Sequence, residues 1–355
     1  MTGGRKKILF RFLITALGVI VVASAIAGYM FWKAVYKNNI ALSEDQQNYL
    51  FVKTGSSYDD LLDELSAPTY LENIKTFDWL AKQKNLSKHI YPGRYEIATG
   101  MNNNELIDMF RSGAQSPLNV TFNNMRTLEQ LAGHIATQIE ADSASLMVEF
   151  TNSENYSGDH FNPKTYQSVF IPNTYEFYWN TSAKAFLQRM QEEYNRFWNE
   201  IRKQKAIKQN LDPLEVSVLA SIVDKETNQN DEKDRIAGVY LNRLENGWKL
   251  QADPTAVYAF YLENDSLLYR VYRKHIKIDS PYNTYIHKGL PPGPICIPSI
   301  AGIDAVLNAE KHQYMYFVAK ADGSGYHQFS KTYKQHKEYA RQLHKELNKQ
   351  KNNSQ

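Results

Sequence analysis

From Phe12 to Trp32 the chain carries no charged side chain. A run of about 20 such residues is the length a helix needs to cross the hydrocarbon core of a bilayer. In that medium every backbone N–H and C=O must find its partner within the segment, so a lone span can fold only as a helix. Arg5, Lys6, Lys7 and Arg11 precede the run and Trp32 closes it. Positive charge gathered on one side holds that side in the cytoplasm, so the expected topology is N-in with the rest of the chain outside. Ala23-Ser24-Ala25 resembles a small-residue cleavage site and leaves a removable signal peptide as the second reading. The apolar run continues past it and is long for that purpose.

The remaining sequence is polar and mixed in charge, and about 320 residues are ample for two cores. A formal net charge of +3 is too small to argue for nucleic acid, and no basic run with interleaved aromatics follows the anchor. Cys296 is the single cysteine, so no intramolecular disulfide can form. The His residues show no metal-ligand spacing, and neither a Gly-x-Ser-x-Gly elbow nor a cysteine-protease signature occurs. No metal and no cofactor is expected. The 24 tyrosines offer flat faces suited to sugar rings, although most belong in a core or at its rim.

After the anchor a pattern recurs three times. Phe51 to Leu62 reads as a strand, a Gly/Ser turn and an amphipathic helix; Tyr95 to Ile107 reads the same way with an Asn cap; Val120 to Leu131 is a weaker copy. The first copy, with Val52, Gly55, Ser57 and Leu61, resembles the opening of a LysM glycan-binding module, and a purely structural spacer is the other reading. A long amphipathic helix from Ala183 to Ile201 and a polar linker from Arg202 to Asn210 then lead to the C-terminal part.

That part opens on a helix with Asp212 as N-cap, Pro213 at the first position and Glu215 three residues after the cap. Val218, Leu219, Ile222 and Val223 fix its phase. At about 100° per residue, Glu226 continues their buried stripe while Asp224 faces away. Desolvation raises the pKa of a carboxyl group, as a general acid working near neutral pH requires, whereas a solvated Glu in the last turn is the plainer reading. A second helix over 231–245 sets Ile236, Val239, Tyr240 and Leu244 on one face and ends at Asn246-Gly247. Asp253-Pro254 has the form of a helix cap. The Pro/Gly-rich stretch through Gly289 to Ile295 makes a shaped wall. Tyr314 to Ala319 and Tyr326 to Ser330, flanking Asp322-Gly323, read as a β-hairpin before a polar helix, and His327 on it reads as structural or as a residue of the cleft rim.

These stretches together carry a resemblance. Ala220 to Thr227, Asn242-Arg-Leu244, Leu250 to Thr255, Tyr282-Asn-Thr-Tyr285 and Gly289 to Ile295 resemble, in order and spacing, the YceG/MltG family of endolytic murein transglycosylases. With the anchor and the LysM-like segment the likeness covers nearly the whole chain. Three places depart from the family pattern. Asp224 stands where the family has Glu, with little consequence expected from an outward position; Pro172-Asn173-Thr-Tyr175 replaces an Asp by Asn, which keeps a hydrogen bond but not the charge; and Ile297-Pro-Ser299 replaces the familiar Asn-Pro-Gly.

The resemblance implies an α+β fold: a transmembrane helix over 12–32 after a cytoplasmic start (1–11), a linker (33–47), a LysM-like αβ module (48–118), a connecting αβ region (119–210), a mixed α/β catalytic domain with a β-hairpin (211–347) and a disordered tail (348–355). It implies that Glu226 is the catalytic acid and base, cleaving the β-1,4 bond between N-acetylmuramic acid and N-acetylglucosamine with closure of a 1,6-anhydro ring. Such a ring closure needs no second carboxylate, unlike ordinary glycoside hydrolysis. Gln251, Asp253, Thr255, Tyr282, Asn283 and Tyr285 are the implied substrate-orienting residues, with loop stabilisation as their other reading. The implied partners are peptidoglycan glycan strands, the bacterial inner membrane, and peptidoglycan synthases of the elongation or division machinery. Two rival functions stand beside this one: a muramidase-type hydrolase with Asp253 positioning water, and an inactive glycan-binding scaffold of cell-wall synthesis.

Overall fold

The computed structural model describes residues 3–42, 49–66, 70–156, 161–266, 268 and 270–353. The end of the expected linker (43–47) and the last two residues of the expected tail lie outside them. The chain divides into two compact units, Met1–Asn119 with Glu176–Asn180, and Val120–Tyr175 with Thr181–Gln355.

In the first unit, helix α1 (Gly3–Tyr36) precedes strand β1 (Tyr49–Val52), helices α2 (Tyr58–Ser66) and α3 (Ile74–Gln83), strand β2 (Gly93–Glu96) and helix α4 (Asn103–Ser112). β1 and β2 pair antiparallel, with Val52 opposite Gly93. Leu50, Val52, Leu61, Phe77, Leu106 and Phe110 form the core beneath them, and Tyr95 meets Phe110 edge-on at 5.0 Å. The caps are those the sequence encodes: Asn102 and Glu105 complete a reciprocal capping box at the start of α4, and Gly113 ends it in the left-handed conformation that favours glycine. The first two strand-turn-helix copies are present, and α3 stands between them as an element the repeat reading did not single out.

Within α1 the stretch Lys7–Tyr36 is long and apolar enough to cross a membrane. Its last turn does not lead into a free linker. Val35 and Ile40 are buried in the module core, and the Asn103 side-chain amide donates to the carbonyl of Ala34 at 2.8 Å.

The second unit is mostly helical. Strands β3 (Leu118–Thr121) and β4 (Thr174–Phe177) pair, each with two residues in either unit; α5 (Leu128–Ala136) and α6 (Ser143–Thr151) lie between them in sequence, and α7 (Ala183–Phe197) and α8 (Glu200–Lys208) come next. Helix α9 (Pro213–Glu226) is the centre. Every residue from Val216 to Asp224 is buried, because α8, α10 (Lys233–Glu245), α11 (Asp253–Asn264) and α12 (Ile300–Leu307) all pack against α9 or its neighbours. Val216, Leu219, Ile222 and Val223 of α9 share one apolar cluster with Ile236, Tyr240, Ile303 and Val306.

Strands β5 (Tyr316–Ala319) and β6 (His327–Ser330) pair antiparallel, Tyr316 opposite Ser330 and Ala319 opposite His327. Helix α13 (Tyr333–Asn353) follows them. It continues past residue 348, so the expected disordered tail is helical as far as Asn353.

Candidate functional site

Glu226 is the last residue of α9. Its helix is placed by a cap: the Asp212 carboxylate accepts from the Glu215 N–H at 2.8 Å, and the Glu215 carboxylate accepts from the Asp212 N–H at 2.9 Å. The other end is held by the Pro/Gly loop. Ser221 on α9 accepts the N–H of Ile295 at 3.0 Å, and Gly293 lies so close to the Lys164 carbonyl that a Cβ there would overlap it. The expected wall is therefore a rigid inner support laid along α9.

The half-buried Glu226 carboxyl receives a short hydrogen bond on Oε1 from the Tyr240 hydroxyl of α10. Burial pushes its pKa up to about 7; the Tyr240 bond pulls downward, the negative charge of Asp253 pushes further up, and the Arg243 guanidinium pulls down. Tyr240 is buried and its own phenol is held far above the usual range, so it stays a donor. Arg243 is fixed elsewhere, donating to the carbonyls of Met315 at 2.9 Å and of Leu250. Of these two residues, one turn apart on α10, Tyr240 thus meets the carboxyl directly and Arg243 acts on it through its charge.

Asp253 contradicts its expected role as a cap. The N-cap of α11 is Ala252, and Asp253 is its first helical residue. Its exposed carboxylate accepts from the Tyr285 hydroxyl at 2.5 Å, and this bond, after burial, raises the Tyr285 pKa. The reason is register: the backbone turns into the helix one residue earlier than the Asp-Pro pair signals, with Gln251 at a positive φ of 49° just before it.

The other candidates fall into two groups. Gln251 and Asp253 are exposed and Tyr285 is half-buried. Thr255, Tyr282 and Asn283 are buried, and the polar side-chain atoms of Thr255 and Asn283 are engaged within the protein. The Thr255 hydroxyl meets that of Thr284 at 2.8 Å and donates to the Ala252 carbonyl at 2.7 Å. Asn283 donates to the Ile278 carbonyl at 2.8 Å and accepts the Tyr285 N–H at 3.1 Å. Tyr282 packs edge-on against Tyr258 at 4.9 Å.

Asp224 overturns its expected outward position. It is 5% exposed. Lys233 Nζ lies 2.7 Å from its Oδ1, and Ser299 adds its N–H at 2.6 Å and its hydroxyl at 2.7 Å. Helical phase failed here because a helix surrounded by others has no outward face, and a buried acid is tolerated where a buried cation and donors meet it. Two departures from the family pattern, Asp224 and Ser299, therefore touch. His327 is likewise engaged: Glu232 accepts both its N–H at 2.8 Å and its ring nitrogen at 2.7 Å. Cys296 is buried among apolar groups that push its thiol up to about 12, far from a reactive thiolate.

Sequence reasoning missed Tyr240 and Arg243 as partners of Glu226. Tyr240 was read as one more apolar position on its helix, and Arg243 only as part of Asn242-Arg-Leu244; their i, i+3 spacing on the face that meets α9 was the available signal.

Comparison with known proteins bears on this geometry. A model of the YceG-like family matches residues 50–342. The chain is 29% identical over 301 residues to the endolytic murein transglycosylase of Bacillus subtilis, covering 80% of this chain and 81% of that one. It is 25% identical to the endolytic murein transglycosylase of Streptococcus pneumoniae, covering 87% of this chain but only 61% of that longer protein. A crystal structure of a yceG-like protein from Listeria monocytogenes superposes with a TM-score of 0.54 at 26% identity, covering 82% of this chain and 97% of that one.

Proposed function

The chain belongs to the YceG-like family, and from that premise we propose that it is a membrane-anchored endolytic lytic transglycosylase of peptidoglycan. The observation that carries the reading is the Glu226 carboxyl, raised to about 7 and held on one oxygen by the Tyr240 hydroxyl. A carboxyl with that pKa is populated in both protonation states near neutral pH, as a group that must give and then take a proton requires.

Because Tyr240 donates to Oε1, the proton of neutral Glu226 resides on Oε2. That oxygen protonates the glycosidic oxygen between N-acetylmuramic acid and N-acetylglucosamine as the C1–O bond breaks and positive charge develops at C1. The resulting carboxylate removes the proton of the muramoyl C6 hydroxyl, whose oxygen bonds to C1. The products are a 1,6-anhydromuramoyl end and a free N-acetylglucosamine 4-hydroxyl. No water is consumed, and Glu226 is protonated again.

Around it, Gln251, Asp253 and Tyr285 are exposed or half-buried and suited to orient sugar. Thr255, Tyr282 and Asn283 hold the loops that present them. One observation favours a second reading: Asp253 is an exposed carboxylate whose charge reaches Glu226, as a muramidase would need to position water. Product mass separates the two, since a hydrolytic end is one water heavier. An inactive scaffold would give no product.

The domain reading follows the same premise. The apolar α1 is the anchor, with its N-terminus cytoplasmic and the remainder outside the inner membrane. Residues 48–118 are a LysM-like module that engages glycan, supported by a groove of about 580 Å³ lined by Phe51, Thr54, Gly55 and Asp60. Residues 119–210 connect to the catalytic domain at 211–347. Synthases of the elongation or division machinery are the partners that would supply nascent strands. The experiment that tests the activity is digestion of purified murein by the protein, with product masses as the readout.

A further inference from the structure

The end of the anchor helix is built into the first unit, and this fixes where one face of that unit must lie. Val35 and Ile40 belong to its core, Asn103 donates to the Ala34 carbonyl at 2.8 Å, and Asn39 joins the same knot through Asn103 at 2.6 Å and through the carbonyl of Asn73, the N-cap of α3, at 3.0 Å. Between Trp32 and Val35 there is helix and no free linker. On α3, Trp79 is 41% exposed, and its ring meets that of Phe31 edge-on at 5.9 Å.

We infer that Trp79 and the exposed face of α3 around it rest in the interfacial layer of the bilayer, so that the first unit docks on the membrane that α1 crosses. The inference rests on the anchor reading of α1. If Phe12 to Trp32 spans the hydrocarbon core, Phe31 lies at its outer boundary. A helix advances about 1.5 Å per residue, so Trp79, one ring contact away, is at the same depth to within a few residues. Exposed Trp32, Tyr29 and Tyr36 surround the same end of α1, and Trp and Tyr are the side chains that favour this layer, where an apolar ring and a polar N–H or O–H are both satisfied. The partner is the lipid carbonyl and headgroup region, and the surface is continuous with the anchor itself. The module is then held against the membrane instead of swinging from a tether.

The test uses the full chain in lipid vesicles, with a fluorophore on an introduced cysteine; buried Cys296 is checked for silence in the parent protein. Gly18→Cys, at a position in α1 with open space around it, reports insertion. Trp79→Cys reports the proposed contact, and Lys75→Cys, exposed one turn earlier on the same face of α3, repeats it without removing the tryptophan. The label at 18 should be quenched most by a nitroxide deep in the acyl chain. Labels at 79 and 75 should be quenched severalfold more by a headgroup nitroxide than by the deep one. Quenching at 18 with none at 79 or 75 overturns the docking while leaving the anchor intact. No quenching at any of the three overturns both the anchor and the docking, and it leaves the chemistry assigned to Glu226 untouched.

Discussion

Asp224 Oδ1 and Lys233 Nζ lie 2.7 Å apart, both side chains buried, in an ion pair that joins the last turn of α9 to the first turn of α10. Ser299, the N-cap of α12, completes the pair with two hydrogen bonds. Helices α9, α10 and α12 therefore meet at one carboxylate two residues before Glu226. Asp224→Asn keeps the shape and leaves the Lys233 cation buried without its counterion, at a cost of about 3–5 kcal/mol. Denaturant unfolding measures this directly. A change below about 0.5 kcal/mol, the level of a surface substitution, would show the pair to be solvated.

Gly302 adds a steric check on the same knot. A Cβ there would lie 2.6–2.7 Å from the Asp224 carboxylate atoms. Gly302→Ala should thus destabilise by roughly 1–3 kcal/mol, as overpacking does, although alanine favours the helix at an unobstructed position. A gain in melting temperature would contradict the packing.

Tyr240→Phe removes the donor on Glu226 Oε1. Since that bond lowers the carboxyl pKa, its loss raises it, and the alkaline limb of the pH–kcat/KM profile should move upward. The rate at the optimum should fall by about tenfold as the proton is no longer confined to Oε2. A lower rate with an unmoved profile would reduce Tyr240 to a packing residue.

The helix that carries Glu226 was legible in the sequence. The Asp212 cap, Pro213 and the apolar stripe gave α9 and set the half-buried Glu226 at its last turn, because capping and periodicity are local properties of a helix. Asp224 was misread because its burial depends on Lys233 and Ser299, and no local pattern reports what packs on the far side of a helix. Asp253 was misplaced by one residue for a related reason: an Asp-Pro pair announces a helix start, but the backbone around Gln251 decides which residue caps it. Tyr240 and Arg243 sat in plain view on α10, and only the approach of α10 to α9 makes them partners of Glu226. The length of the apolar run was readable from the absence of charge alone, whereas the join of α1 to the first unit needed Asn103, distant in sequence.

Stability should respond to pH through Glu226 with a definite sign. Its folded pKa of about 7 lies above the ordinary carboxyl value of 4.5. Between those pH values the folded state therefore binds more protons than the unfolded one, and stability falls as pH rises through that window. Above it the charged form carries the whole burden. Glu226→Gln abolishes this slope and should be more stable than the parent above pH 7, by about 1–3 kcal/mol. Unfolding free energies of both proteins across the window check it, and parallel curves would contradict the raised pKa.

The most direct test of the account is mass spectrometry of murein digested by the parent protein and by Glu226→Gln. The substitution keeps the size and some hydrogen bonding while removing both proton transfers. The parent should release fragments ending in 1,6-anhydromuramic acid, each one water lighter than a reducing end, and Glu226→Gln should release them at least about 10²-fold more slowly while remaining folded. Reducing ends from the parent, or anhydro ends at an undiminished rate from Glu226→Gln, would contradict it.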